Sequence, residues 1–251
     1  MKKNIVYKWW FKAIIVLLMF SPIITQIKYN PQNTNILIGE ILQYPYINNI
    51  GIGLIIAKLL LAIIFILPFI IKENSQKLIL WYYIIILVIT GLFQNMSNTE
   101  YGFSFIIGNM FAQCIVAIFC ACDLFKNKSK ISKENLNKRV LWLIPLMLLA
   151  LFMPYVTKDN VVTPSINSIL NNESGVTYCM ITPIIIGICI LFKKEMYKPT
   201  LHIISFVGFI FGVFNMMTWF GVNAQNWWMG ILHLPLFIIS IYGLIISKNK
   251  N

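Results

Sequence analysis

The sequence predicts an all-α integral membrane protein of eight transmembrane helices, built as a tandem 4+4 repeat with both termini in the cytoplasm. Three observations carry that expectation. Of the 251 residues, 59% are hydrophobic and 11% charged, and the mean hydropathy is +0.77; soluble globular chains are roughly 45–50% apolar. The charges collect in short clusters between eight apolar runs, most of them near the length a helix needs to cross about 30 Å of hydrocarbon. The second half of the chain also repeats features of the first at a nearly constant offset.

The runs cover residues 9–24, 51–71, 78–93, 103–125, 140–156, 178–192, 201–220 and 227–246. Lipid offers no partner to backbone N–H and C=O groups, so each run should be helical. Lys2, Lys3, Lys8 and Lys12 before the first run resemble the start of a signal peptide. No small-residue cleavage site follows, so this run is kept as a helix.

Basic residues orient the helices. With the N-terminus inside, the cytoplasmic segments hold Lys2, Lys3, Lys8 and Lys12; Lys72 and Lys77; Lys126, Lys128, Lys130, Lys133, Lys138 and Arg139; Lys193, Lys194 and Lys198; and Lys248 and Lys250. Against these seventeen, the outer loops hold only Lys28 and Lys158. Short lysine-rich loops resist translocation, so the bias sets the topology. Trp9, Trp10, Trp81 and Trp142 fall near inner helix ends and Trp219, Trp227 and Trp228 near outer ends, as aromatic belts require.

The repeat is traced by matched residues. An offset of 132 places Trp10 on Trp142, Leu17 on Leu149, Phe20 on Phe152, Pro22 on Pro154 and Thr25 on Thr157. An offset of 133 places Pro31, Ile36, Leu37 and Glu40 on Pro164, Ile169, Leu170 and Glu173. Offsets of 121 to 122 match Leu80, Gly91, Phe93, Met96 and Gly108 with Leu201, Gly212, Phe214, Met217 and Gly230. Residues 1–125 and 140–251 are therefore expected to be four-helix units joined by a basic linker, 126–139. A unit with an even number of helices re-enters the membrane in the same sense, so the pseudo-twofold axis should lie along the membrane normal.

A net charge of +12 would suggest nucleic acid in a soluble chain. Here the lysines follow the topology, and no nucleic-acid partner is expected. The five cysteines, Cys114, Cys120, Cys122, Cys179 and Cys189, lie in apolar runs, where the residue behaves as a small hydrophobe. Cys120 and Cys122 point to different sides of a helix with no histidine near, so no metal or cofactor is expected. There is no P-loop, H-E-x-x-H, G-x-S-x-G or G-x-G-x-x-G pattern. Asp123 and Asp159 are the only aspartates, which excludes an intramembrane aspartyl dyad.

Six residues are candidates for ligand binding: Lys58, Glu40, Glu173, His233, Asn109 and Gln113. Lys58 lies inside the second helix, where an ammonium costs about 2.5–3.5 kcal/mol on insertion scales. It should therefore face Glu40, Glu100 or water, unless its stem snorkels to the headgroups. Glu40 and Glu173 occupy matched positions in the outer loops, as a carboxylate pair for a cation or as solvated ends of interfacial helices. His233 follows Trp227 and Trp228 and precedes Pro235, which cannot donate to the Ile231 carbonyl. An imidazole there could bind ligand or move a proton. His202, at an inner helix end, is expected to cap or to meet lipid. Asn109 and Gln113, with Asn95, Asn98, Asn215, Asn223, Gln225 and Asn226, should hydrogen-bond across helices or line a wet cavity. Gly208 with Gly212, and Gly53 with Ala57, are small-residue pairs suited to close helix packing.

These features fit a plasma-membrane permease or binding protein for a small solute, its site between the halves on the outer side. A non-catalytic membrane subunit, such as an exporter permease subunit or an immunity or sensing protein, is the alternative. Its 126–139 linker would then dock a cytoplasmic protein or anionic lipid. An intramembrane enzyme on lipid or quinone comes third, with only Lys58, His233 and the glutamates for acid–base work.

Overall fold

Every apolar run contains a helix, but three of these helices stop short. The computed structural model describes residues 4–71, 75–131, 133–158, 161–195 and 197–248. Lys2, Lys3, Lys72, Asp159 and Lys250 lie outside the described residues. The first half contains α1 (Trp9–Met19), β1 (Ile24–Thr25), α2 (Thr34–Gln43), α3 (Ile52–Ile70), α4 (Ser75–Phe93), β2 (Met96–Thr99), β3 (Gly102–Phe105) and α5 (Ile107–Lys126). After β4 (Lys130–Ile131) come α6 (Leu143–Phe152), β5 (Tyr155–Lys158), β6 (Val161–Pro164), α7 (Tyr178–Leu191), β7 (Lys193–Glu195), α8 (Lys198–Met217) and α9 (Trp227–Ser247). The chain is mostly helical, and α3, α4, α5, α8 and α9 are long and apolar enough to cross a membrane.

Proline explains two of the short helices. Pro22 and Pro154 follow α1 and α6 by two or three residues, and the ring bars helix for the residue before it. Met153, the residue before Pro154, turns into the left-handed region at φ 38°. Both prolines stand at the same place in the proposed repeat, so the first helix of each half ends alike. Beyond those ends, residues 103–105 belong to a strand rather than to the helix expected there. Strands β1, β3 and β2 form a small antiparallel sheet, and β5 and β6 form a hairpin.

Contacts between connecting segments sort into two ends of the bundle. At one end the Tyr7 hydroxyl donates to the Ser247 carbonyl (3.1 Å), β4 pairs with β7, and the Tyr197 N–H donates to Ser129 Oγ (3.0 Å). Both ends of the described chain lie here, with the lysine-rich linker. Ser129 in turn gives its N–H and hydroxyl to the buried Asp123 carboxylate (2.8 and 2.6 Å). At the other end sit the three-stranded sheet, a hydrogen bond from Tyr46 to Asn98 (2.6 Å), and the polar cluster described below. These are called the inner and outer ends, after the orientation expected from the lysines.

Packing within the two halves follows one order. The third helix lies along the fourth (α4 on α5, α8 on α9), the first helix also meets the fourth (α1 on α5, α6 on α9), and the second meets the third. The α8–α9 seam is the closest. Gly208 lies against Ser240, Gly243 against Ser205, and Gly212 against the Phe237 backbone, so small residues from both helices admit the approach. At Gly53 the atoms nearest to where a Cβ would stand belong to Ile50, in the turn before the same helix.

The halves are not equivalent. Thirteen of the fourteen residues of α7 are buried, against five of nineteen in its counterpart α3, so α7 is the central post and α3 lies at the rim. The outer loops also differ, although they carry the matched residues. Pro31 opens a turn leading into α2 and Pro164 closes β6, while Glu40 is helical and Glu173 begins a 3-10 turn.

Candidate functional site: a polar clasp between the halves

Because Pro154 stops α6 early, the last carbonyls of that helix have no N–H of their own to accept from. In water they would be solvated; in an apolar bundle each needs a donor from elsewhere in the chain. The turn after β6 supplies two. Ser174 Oγ donates to Leu151 O (2.9 Å), and Asn172 Nδ2 donates to Phe152 O (2.9 Å) and Met153 O (2.7 Å). The third donor is Lys58 of α3, whose Nζ reaches Phe152 O (3.1 Å) and Asn172 Oδ1 (2.7 Å).

Lys58 is thus buried, at 4% exposure, and neither snorkels nor meets Glu40 or Glu100 as expected. Its cation faces the negative end of the α6 dipole, a favourable place for positive charge. The carboxylate whose charge reaches it is Glu173, which accepts a hydrogen bond from the buried Tyr155 hydroxyl. Asn172 Oδ1 also takes the Ser174 N–H (3.2 Å), so this one amide joins three segments.

Gly175 makes the fit possible. A Cβ there would stand 2.4 Å from the Lys58 backbone nitrogen and 2.6 Å from the Ala57 carbonyl carbon. The turn at residues 173–176 therefore lies directly on the α3 backbone. The clasp joins a helix of the first half to the helix end and the loop of the second.

The other candidate residues are dispersed. Glu40 lies on α2 and Glu173 in the 3-10 turn before α7, and among the described residues no hydrogen bond links Glu40 to Lys58. His233 is buried on α9. Its Nδ1 lies 2.8 Å from Met229 O, and since a carbonyl only accepts, Nδ1 carries the proton. The ring stacks on Trp219, 5.9 Å away, and this bond goes to Met229 rather than to the carbonyl freed by Pro235. Asn109 Nδ2 donates to Asn95 Oδ1 (2.9 Å), Asn95 donates to the carbonyls of Thr90 and Gly91, and Thr90 donates to Gln113 Oε1 (2.7 Å). These amides cap α4 and tie it to α5. His202 does not meet lipid: it is buried between Tyr7, 4.7 Å away, and Ser247 Oγ at 2.9 Å.

Among the described residues no cluster of three His, Cys, Asp or Glu side chains is placed to hold a metal ion. Two surface concavities stand at the outer end, one against Pro154 and residues 164–167 and one against residues 44–49 and 97–98. Neither is lined by Lys58, Glu173 or His233. No family model, curated protein or solved structure matches the chain.

The sequence marked Lys58 and missed its partners. Asn172, Ser174 and Gly175 sit in a polar loop of ordinary composition. The available signal was Pro154: a proline near the end of an apolar run leaves carbonyls at membrane depth, and those demand donors.

Proposed function

We propose that the chain is a plasma-membrane protein of eight spans, N-in and C-in, whose two four-helix halves form a permease or binding protein for a small solute. The observation that carries this reading is the Lys58 clasp. An ammonium at membrane depth, held by a carbonyl and an amide of the other half, is a contact that can be exchanged for solute or water. Plain helix packing would be served better by an apolar side chain. Alternation of the connecting segments between two ends supports eight passes, in which the short α1, α6 and α7 are continued by non-helical segments. Matched packing order within the halves supports the duplication.

In this reading the present conformation is outwardly closed, and Lys58, Asn172 and Glu173 form the closure. The test is accessibility. In a variant lacking native cysteines, Lys58→Cys should react slowly with a membrane-impermeant thiol reagent added outside, because the clasp opens from time to time. Complete protection over hours, with Asn98→Cys labelled in minutes, would contradict it. The non-catalytic subunit reading is favoured by one feature, the exposed basic residues Lys126, Lys128, Lys133, Lys138 and Arg139 of the linker. Under that reading a stoichiometric soluble partner co-purifies with the chain and is lost when these residues are neutralised.

A further inference from the structure

The clasp holds two opposite charges side by side without joining them. Lys58 Nζ reaches Phe152 O and Asn172 Oδ1, both uncharged, while Glu173, the residue after Asn172, accepts from the Tyr155 hydroxyl. Among the described residues no ion pair links Lys58 to Glu173, although the Glu173 charge reaches the ammonium. In an apolar bundle a direct contact between them would be strong, and a link made only for stability would use it. Neutral partners hold the charges apart instead, and a neutral partner is given up at less cost than a countercharge.

Each charge also keeps unused bonding capacity. An ammonium has three protons, and the chain supplies acceptors for two of them, at 4% exposure of the side chain. Glu173 is half-buried, and among the described residues its Oε2 takes no hydrogen bond. The turn at residues 173–176 lies on the α3 backbone at Lys58, so the spare donor and the spare acceptor belong to one place.

Charge complementarity selects the ligand. A simple anion at Lys58 would be repelled by Glu173, and a simple cation at Glu173 by Lys58. An uncharged solute would displace the neutral partners and leave both charges poorly compensated. A zwitterion answers both: its carboxylate accepts the spare ammonium proton, its own ammonium donates to Glu173 Oε2, and no charge is left over. We infer that the solute of the clasp is a small α-amino acid in its zwitterionic form, whose two charged groups are joined through a single carbon. The inference rests on the permease reading. The outer concavity of about 470 Å³, lined by Pro154, Pro164, Ser165, Ile166 and Asn167, is the way in, since Pro154 follows the Met153 carbonyl that Asn172 holds. Its volume suits a small molecule, for which sites of roughly 300–1,000 Å³ are usual. None of these lining residues is charged, so nothing there competes with Lys58 and Glu173.

The experiment uses the full chain in nanodiscs and equilibrium dialysis against a tritiated mixture of the protein amino acids, each at up to about 1 mM. Labelled propionate, propylamine and lactamide stand for the anion, the cation and the uncharged solute. The wild-type chain should retain amino acid and none of the three. Lys58→Met and Glu173→Gln should each weaken that retention at least about tenfold. Preference should pass to propylamine in Lys58→Met and to propionate in Glu173→Gln. Lys58→Met keeps the side-chain length and Glu173→Gln keeps an acceptor for Tyr155, so either variant alone carries the test if the other does not fold. No retention of any amino acid, equal retention of lactamide, or amino-acid binding unchanged in a variant of normal melting temperature overturns the inference. Labelling of Lys58→Cys from outside does not depend on which solute binds. Slow labelling without amino-acid binding overturns the zwitterion and leaves the permease reading, whereas complete protection overturns both.

Discussion

Lys58 is where the balance of forces is tightest. Burying an ammonium costs several kcal/mol, and the hydrogen bonds to Phe152 O and Asn172 Oδ1, with the α6 dipole, offset that cost. The account predicts that Asn172→Ala destabilises the chain by about 1–3 kcal/mol, since it strips donors from two helix-end carbonyls and an acceptor from the cation. Lys58→Met should cost less, because it also removes a buried charge. The double variant should cost less than the sum of the two by at least about 0.5 kcal/mol, the coupling expected of residues in one network. Denaturant unfolding in micelles measures all three. Strict additivity would show that Lys58 and Asn172 do not depend on one another. An unusual lysine inside an apolar run was legible in the sequence. Its partners were not, because they come from a loop about 114 residues away that only the fold brings near.

At the scale of elements, glycines separate close contact from mere flexibility. Gly175 carries the turn of the second half onto the α3 backbone, while Gly39, inside α2, has no neighbour within 4 Å of where a Cβ would stand. Gly175→Ala must push α3 and the turn apart, so its melting temperature should fall and the clasp should loosen. Gly39→Ala should raise it slightly, since alanine is favoured over glycine by about 0.8–1 kcal/mol in a helix interior. Equal effects at the two sites would contradict the placement of the turn. The positions of the eight apolar helices were legible from hydropathy alone, and Gly208 with Gly212 announced the tight α8–α9 seam. The short interfacial helix at Glu40 was among the sequence readings and is α2; the small sheet and the β5–β6 hairpin were not legible, since each is short, partly polar and stabilised by neighbours rather than by its own pattern.

For the whole molecule, the lysine bias and the sorting of contacts into two ends point to one topology. Sequence matching proposed a repeat, and helix packing follows one order in the first and second parts of the chain. It did not foresee that α7 would be central and α3 peripheral, because both are simply apolar and burial depends on what surrounds them. Eight passes remain the central claim, and it depends on α1, α6 and α7, whose helices alone do not reach across a bilayer. Single cysteines in a background without Cys114, Cys120, Cys122, Cys179 and Cys189 test it directly in intact cells. The account predicts that Gln32→Cys, Asn98→Cys and Asn167→Cys are labelled by an impermeant thiol reagent from outside, and that Lys133→Cys and Lys248→Cys react only after the membrane is opened. Labelling of Lys133→Cys in sealed cells, or protection of Asn167→Cys, would show that one of the short helices does not cross and would contradict the eight-span fold.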